Sequence, residues 1–407
     1  MQEPTARKVP QIRFKGFDEE WAEKALGEIT TYKNGKGHEN RQSSYGKYEL
    51  INLNSISISG GLKYSGKFID DTDETLNADD LVMILSDVAH GNLLGRVARI
   101  PENDRFVLNQ RVALLRPWAS KSSTYLLYQI NARQSYFKLR GAGMSQLNIS
   151  KNVVTEFTLF TPAEEEQTKI GEYFLELDSL IALHQRKHDK LVTLKKAMLQ
   201  KMFPQAGATT PEIRFKGFSG DWVEKRLDDV CDIVGGGTPS TSIQEYWGGS
   251  IDWYSPTEIG DKVYASGSVK KITLLGLSKS SARLLPPEKT VLFTSRAGIG
   301  DMAILTKEGC TNQGFQSFVL NDDIDPYLIF SMGHLIKIHA LKHASGSTFL
   351  EVSSKQLGKM KILLPKENEQ QKIGTYFRTL DELISQHATQ LQKLKQLKSA
   401  CLEKMFV

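Results

Sequence analysis

The sequence predicts an α+β protein built twice. Two mixed α/β domains with twisted, mainly antiparallel sheets are separated by two long helices. The helices pair as an antiparallel coiled coil, so the chain is a pseudo-two-fold internal repeat. Three observations carry this prediction. Residues 162–203 return 203 positions later (365 − 162), with 23 of 42 residues identical. Residues 10–29, PQIRFKGFDEEWAEKALGEI, return as 211–230, PEIRFKGFSGDWVEKRLDDV. Between the repeated blocks lie two stretches that differ in residues but keep one order of turns, strand-like runs and a helical segment.

The chain opens with an arm, residues 1–22. Its IRFKGF core is aromatic and punctuated by glycine, and reads as extended chain leading into a short helix. Phe14, Phe17 and Trp21 are its anchors to the domain that follows. The second arm belongs to the segment 205–222, which begins with the small, polar linker QAGATT.

The two domains, residues 23–160 and 223–363, each start with a turn-rich loop, KNGKGHENRQSSYGKY (33–48) or GGGTPSTSIQEYWGGS (235–250). Short β-rich runs bounded by Gly and Asp come next. LVMILSD (81–87) and GRVARI (95–100) precede Asn109-Gln110 in the first. TVLFTSR (290–296) and GDMAIL (300–305) precede Asn312-Gln313 in the second. A helical stretch follows in each, 125–140 and 327–344, then a glycine turn and a last strand.

The spacer helices are residues 161–204 and 364–407. Thr161, Pro162 and Glu164 form a capping-box start, and Glu164–Glu166 place negative charge at the positive end of the helix dipole. Apolar spacing alternates 3 and 4 through Ile170, Tyr173, Leu177, Leu180, His184, Lys187, Leu191, Leu194, Met198 and Lys201. The twin runs Ile373, Tyr376, Leu380, Leu383, His387, Gln390, Leu394, Leu397, Cys401 and Lys404. This is a heptad seam. Phe174 and Ile181, like Phe377 and Ile384, widen its N-terminal half, where each helix also meets its own domain. The middle of the seam is polar. His184 and His387 either set register there or lie exposed at its edge.

At 407 residues and 40% hydrophobic content, two globular units with real cores are expected. A net charge of +5 permits nucleic acid as a partner without demanding it. Cys231, Cys310 and Cys401 have no CxxC spacing, so a reducing compartment is expected and a structural zinc is not. There is no secretory leader in MQEPTARKVP and no apolar run of membrane-span length, so a cytoplasmic protein with no membrane contact is expected. Phosphate-loop and dinucleotide glycine motifs are absent, and so are the Asn-Pro-Pro-Tyr and Asp-Pro-Pro-Tyr motifs of adenine methylation. No metal or catalytic residues are assigned. His339 and His343, at i and i+4, lack the Glu of a zinc motif.

Two divergent domains on one repeated scaffold point to two binding specificities. The loops hold side chains that read base edges and phosphates: Arg and Lys for guanine and backbone, Asn and Gln for adenine. In the first domain these are Lys33, Asn34, Lys36, Asn40, Arg41 and Tyr45, and then Asn92, Arg96, Gln110, Arg111, Arg140 and Gln146. In the second they are Thr238, Ser240, Thr241, Tyr246 and Trp247, and then Arg296, Gln313, Ser347 and Thr348. Taken singly, such residues are ordinary turn formers. Their matched places in both halves single them out.

A variable domain followed by an EQxKIGxxFxxLDxLI helix, twice, resembles the specificity subunit of type I restriction-modification systems. Glu166-Gln167, Lys169-Ile170-Gly171 and Leu177-Asp178 carry the likeness, with Glu369-Gln370, Lys372-Ile373-Gly374 and Leu380-Asp381. GGGTPSTSIQEYWGGSIDW (235–253), SRAGIG and NQGF are similar to that family's target-recognition domains. The resemblance implies a chain without a catalytic centre, working within a DNA methyltransferase and endonuclease complex. It implies two target-recognition domains, each reading half of a bipartite site in double-stranded DNA. It implies two methyltransferase subunits and two restriction, translocating subunits as partners. No cofactor is implied in this chain, since methyl donor and ATP belong to those partners. The alternative is a coiled-coil scaffold whose divergent domains bind proteins; DNA binding that weakens with salt separates the two.

Overall fold

In both domains the longest apolar runs become strands buried on both faces. The structure, a computed structural model, describes residues 9–407 apart from 89–90, 120, 145, 261, 297 and 347–349. It divides into two units, residues 1–184 with 390–407, and residues 185–389. Each unit therefore holds one domain, the N-terminal half of that domain's own long helix, and the C-terminal stretch of the other helix.

In the first unit the main sheet is antiparallel, ordered Thr30–Asn34, Val112–Pro117, Leu81–Ile84, Val97–Arg99. Side chains alternate along a strand. Leu81 and Met83 join Tyr125, Leu126 and Phe137 in a core against helices Ser123–Ala132 and Gln134–Leu139. Val82 and Ile84 join Ile51 and Phe106 in a second core. That core is closed by the small sheet Phe68–Ile69, Tyr48–Ile51, Phe106–Leu108, whose last pair is parallel. Two covered faces make LVMI an unbroken apolar run rather than an alternating one.

The second unit repeats the plan. Its main sheet is ordered Cys231–Gly235, Gln316–Leu320, Thr290–Phe293, Met302–Leu305, with Tyr264–Ala265 added in parallel at the edge. Val291 and Phe293 face the core on the helix side, and Leu292 faces the other. The small sheet is Lys270–Ile272, Trp247–Tyr254, Gly309–Thr311, again with a parallel last pair. The helical stretches are each broken in two, the second into Pro326–Ser331 and Gly333–His343.

The arms do more than anchor. Trp21 and Trp222 are buried, and the residues after them are strands: Ala22–Ala25 pairs with Thr158–Thr161, and Val223–Arg226 with Lys361–Leu364. Arg13 forms two 2.7 Å bonds to Glu166, and Arg214 bonds of 2.6 and 2.7 Å to Glu369; each glutamate is only 1% exposed. Such a fork is the strong geometry for a buried carboxylate. Gln167 and Gln370 donate to the carbonyls of Pro162 and Pro365, while accepting from Ser122 N and Asp325 N. A Cβ on Gly374 would lie 2.2 Å from Asp325 Oδ1, so only glycine lets the helix and domain meet there.

The long helices are Glu164–Lys201 and Glu367–Lys404, 38 residues each. In the first unit Phe174 stacks on Phe406, and in the second Phe203 stacks on Phe377, so in each unit the helices run antiparallel. Two expectations change. Thr161 is no cap: it ends a strand, and its hydroxyl donates to Ala22 O at 3.1 Å. Glu164, Glu165 and Glu166 stand in the first turn as expected, and Glu166 also pairs with Arg13. The seam also runs differently. One row follows Ile170, Leu177, His184 and Leu191, and in the twin Ile373, Leu380, His387 and Leu394, all buried or half-buried. The second row passes through Ile181, His188, Lys195 and Met202, and through Ile384, Leu391, Lys398 and Met405. Leu180, Leu194, Leu383 and Leu397, one residue earlier, stand exposed, Leu397 at 45%. Spacings of 3-4 and 4-3 share the same period, so packing against the domain chooses between them.

Candidate nucleic-acid interface

Each main sheet sends its edge strand into a glycine-marked loop, pressed against the Asn-Gln turn. In the first domain Thr30–Asn34 leads to Gly35, where a Cβ would lie 1.8 Å from Asn109 O. In the second, Cys231–Gly235 leads to Gly236, where a Cβ would lie 2.0 Å from Asn312 O. Glycine at both positions is what lets two backbones approach so closely. The two domains thus bring the same pair of loops together.

Around the first pair stand Lys33, Asn34, Lys36, Asn40, Arg41, Gln110 and Arg111, with side chains toward solvent. Lys36 bridges to Asn109, and Arg111 is held at φ +66°, a conformation costly for any residue but glycine. Lys33, Lys36 and Arg41 line a cavity of about 130 Å³ that they share with Asp71, Asp73 and Glu74. Lys33 pairs with Glu74, and Gln110 donates to Glu39. Donors and acceptors thus alternate, a surface able to match base edges as well as phosphates. His38 is the buried pin. Burial, then the charge of Arg41, hold its imidazole below the usual range. Arg41 Nη2 donates to His38 Nδ1 at 3.3 Å. Tyr45 is exposed nearby in sequence.

In the second domain Thr238, Ser240 and Thr241 are exposed, and Thr238 donates to Gln313. Trp247 does not face outward as a reader. It packs edge-on against Trp253 at 5.1 Å and donates to Ser240 O at 3.1 Å, holding the loop from behind, and Tyr246 is half-buried beside it. Trp253 donates to Gly237 O at 2.8 Å. Arg296 lies 3.7 Å from Glu351 and beside Gly314 of the Asn-Gln turn.

Other candidates go elsewhere. Arg96 turns inward, donating to Asn131 O at 3.1 Å, and burial holds its guanidinium below its usual range. Gln146 bonds Ser86 at 2.6 Å in the pair of strands Ser86–Val88 and Gln146–Asn148. Asn92 accepts from Lys138, and Arg140 covers the Tyr136 ring at 3.8 Å. Ser347 and Thr348 lie outside the described residues. The sequence reading missed His38 and the loop at Ser281, which touches Gly237 with 2.3 Å between its Oγ and a Cβ placed there. The tandem glycines 235–237 were the available signal for that close approach.

Among the described residues no cluster of His, Cys, Asp or Glu is arranged to hold a metal. No helix there is long and apolar enough to cross a membrane. Burial pushes the Cys231 and Cys310 thiols up to about 12, which leaves them inert.

The type I restriction modification DNA specificity domain matches the chain twice, over residues 18–193 and 219–396. The MjaIX type I restriction enzyme specificity subunit of Methanocaldococcus jannaschii is 35% identical over 191 residues. That match spans 46% of this chain and 44% of that protein, less than half the relative's length. The HindI specificity subunit of Haemophilus influenzae is 22% identical over 429 residues, covering 86% of this chain and 90% of the relative. The crystal structure of the S subunit of a type I restriction-modification system from M. genitalium matches in fold. Its TM-score is 0.63 at 16% identity, covering 98% of this chain and 99% of that one.

Proposed function

The chain belongs to the family of type I restriction-modification DNA specificity proteins, and from that premise we propose that it reads DNA sequence for a restriction-modification complex without catalysing a reaction itself. Residues 23–160 and 223–363 act as two target-recognition domains, each reading one half of a bipartite site in double-stranded DNA. The observation that carries this reading is the doubled loop pair. Gly35 with Asn109-Gln110, and Gly236 with Asn312-Gln313, present different side chains from one backbone arrangement.

On this reading the long helices set the spacing between the two words and dock methyltransferase subunits. The exposed leucines support docking: Leu175, Leu180, Leu183 and Leu397 in the first unit, and Leu194 and Leu383 in the second. Exposed apolar side chains on a long helix suit another helix. Two methyltransferase subunits and two restriction, translocating subunits complete the assembly in the cytoplasm. Methyl donor and ATP bind to those partners.

The test is methylation mapping of DNA from cells with and without this chain, alongside assays of the purified chain. The expected outcome is one bipartite methylated sequence that depends on the chain, and no methylation or cleavage by the chain alone. Methyl transfer by the isolated polypeptide would refute the reading.

A further inference from the structure

Each unit contains one aspartate held by both the domain and the opposite helix. In the first unit Asp178 Oδ2 accepts from the Tyr128 hydroxyl at 2.7 Å and Oδ1 from Lys398 Nζ at 2.5 Å. In the second unit Asp381 Oδ2 accepts from Tyr327 at 2.7 Å and Oδ1 from Lys195 Nζ at 2.5 Å. Both oxygens of each carboxylate are engaged by residues far apart in sequence. The tyrosine ties the aspartate to its own domain, and the lysine ties it to the other long helix.

We propose that Asp178 and Asp381, with Lys398 and Lys195, are the positioning residues that fix the register of the helix pair. This rests on the reading of the helices as the ruler between two DNA words. The heptad seam by itself selects register weakly, because a shift of seven residues returns every row to an equivalent row. Its middle is polar in both helices, so apolar packing opposes such a shift mainly at the ends, where Phe406 packs on Phe174 and Phe203 on Phe377. The clamps supply what the seam lacks. A slip of one heptad in either direction would bring Leu391 or Met405 against Asp178, and His188 or Met202 against Asp381. Of these only His188 can carry charge, and it is engaged by Asp189 at 3.1 Å. Either slip thus takes the lysine from both carboxylates at once and leaves each with only the tyrosine of this pair of partners. Burial, reinforced by the adjacent carboxylate, raises both tyrosines, so each remains a protonated donor.

The clamps differ in depth. Asp381 and Lys195 are 12% and 24% exposed at the side chain, and Asp178 and Lys398 are 40% and 19%. Tyr264, edge-on to Tyr327, and Arg378 above the same ring cover the second clamp. The first lines a cavity of about 660 Å³.

The experiment measures register directly and spacing separately. Nitroxide labels on K196C with E382C report the second unit, and on S179C with K395C the first; the three native cysteines are buried. The variants are K195M/K398M, the reversal K195D/K398D, and the full swap K195D/K398D/D178K/D381K. The expected result is a single label distance in the parent chain. In K195M/K398M and the reversal it should broaden or move by about 10 Å, the rise of one heptad, and the swap should restore it. K195M alone should disturb register more than K398M alone. In cells with partner subunits, methylation at the original spacing should be lost in the first two variants and regained in the swap. Unchanged, narrow distances in a folded K195M/K398M would overturn the proposal. Shifted register with methylation still at the original spacing would overturn the ruler reading and leave the clamp standing.

Discussion

The repeated frame and the variable loops obey different constraints, and comparing the two halves separates them. Arg13 with Glu166 and Arg214 with Glu369 are the same buried fork, built from the same residues. The loops beside Gly35 and Gly236 occupy the same place but present Lys36, Arg41 and Arg111 in one half and Thr238, Ser240 and Thr241 in the other. A buried carboxylate has one acceptable kind of partner, because leaving it unpaired is expensive. An exposed loop side chain is satisfied by water whatever it is, provided the backbone beneath keeps its shape. The difference teaches where change is tolerated: in what the loops present, and not in the glycines and pins that place them.

The largest expected effect tests that division directly. Exchanging residues 23–160 for the matching domain of a relative should rewrite one word of the methylated site and leave the other intact. Sequencing of methylated DNA reads this, and a swap that altered both words would break the modular comparison.

Next comes the frame itself. Glu166→Ala should destabilise the first unit by about 3 kcal/mol, at the low end for breaking a buried ion pair because Arg13 keeps some water access. Glu369→Ala should cost the second unit a similar amount. Denaturant unfolding followed in both units checks this, and losses differing by more than about 1 kcal/mol would show that the two forks are not equivalent.

Smaller effects sharpen the comparison at the loops. Gln110→Ala should weaken discrimination at one word by about 1–3 kcal/mol, the range for a side chain reading a base edge. Gln313→Ala should do the same at the other word only. If either variant lowers affinity for all DNA equally, that glutamine touches backbone and not bases.

The smallest effect is the share of the pH dependence that His38 adds in the first half. His38 is held below its ordinary value of 6.5 by burial and Arg41, so the unfolded chain takes up the proton first as pH falls. Its contribution to stability is complete above pH 6.5 and is lost as pH drops toward the lower folded value. His38→Gln should flatten that slope in unfolding of the first half measured between pH 7 and 5, while the second half keeps a slope of its own, because burial also lowers His334 and His339.

The duplication, the two long helices, and the mixed domains with mainly antiparallel sheets are determined by sequence alone, since repeats, heptad period and unbroken apolar runs are local signals. So is the glycine marking of the loops, because Gly35 and Gly236 recur at matched places in both halves. Three features needed the tertiary structure. Arg96 looks like a loop cation, yet it points to Asn131 because the strand that follows it, Val97–Arg99, packs on the helix Ser123–Ala132. Trp247 stands among the loop candidates for reading DNA, yet it packs edge-on against Trp253 and supports the loop. The second row of the helix seam passes through Lys195 and Lys398 and leaves Leu194 and Leu397 exposed. A period of 3.5 residues describes both rows equally well. What decides between them is the domain behind each helix, whose Tyr128 or Tyr327 holds an aspartate that pairs with a lysine from the other helix.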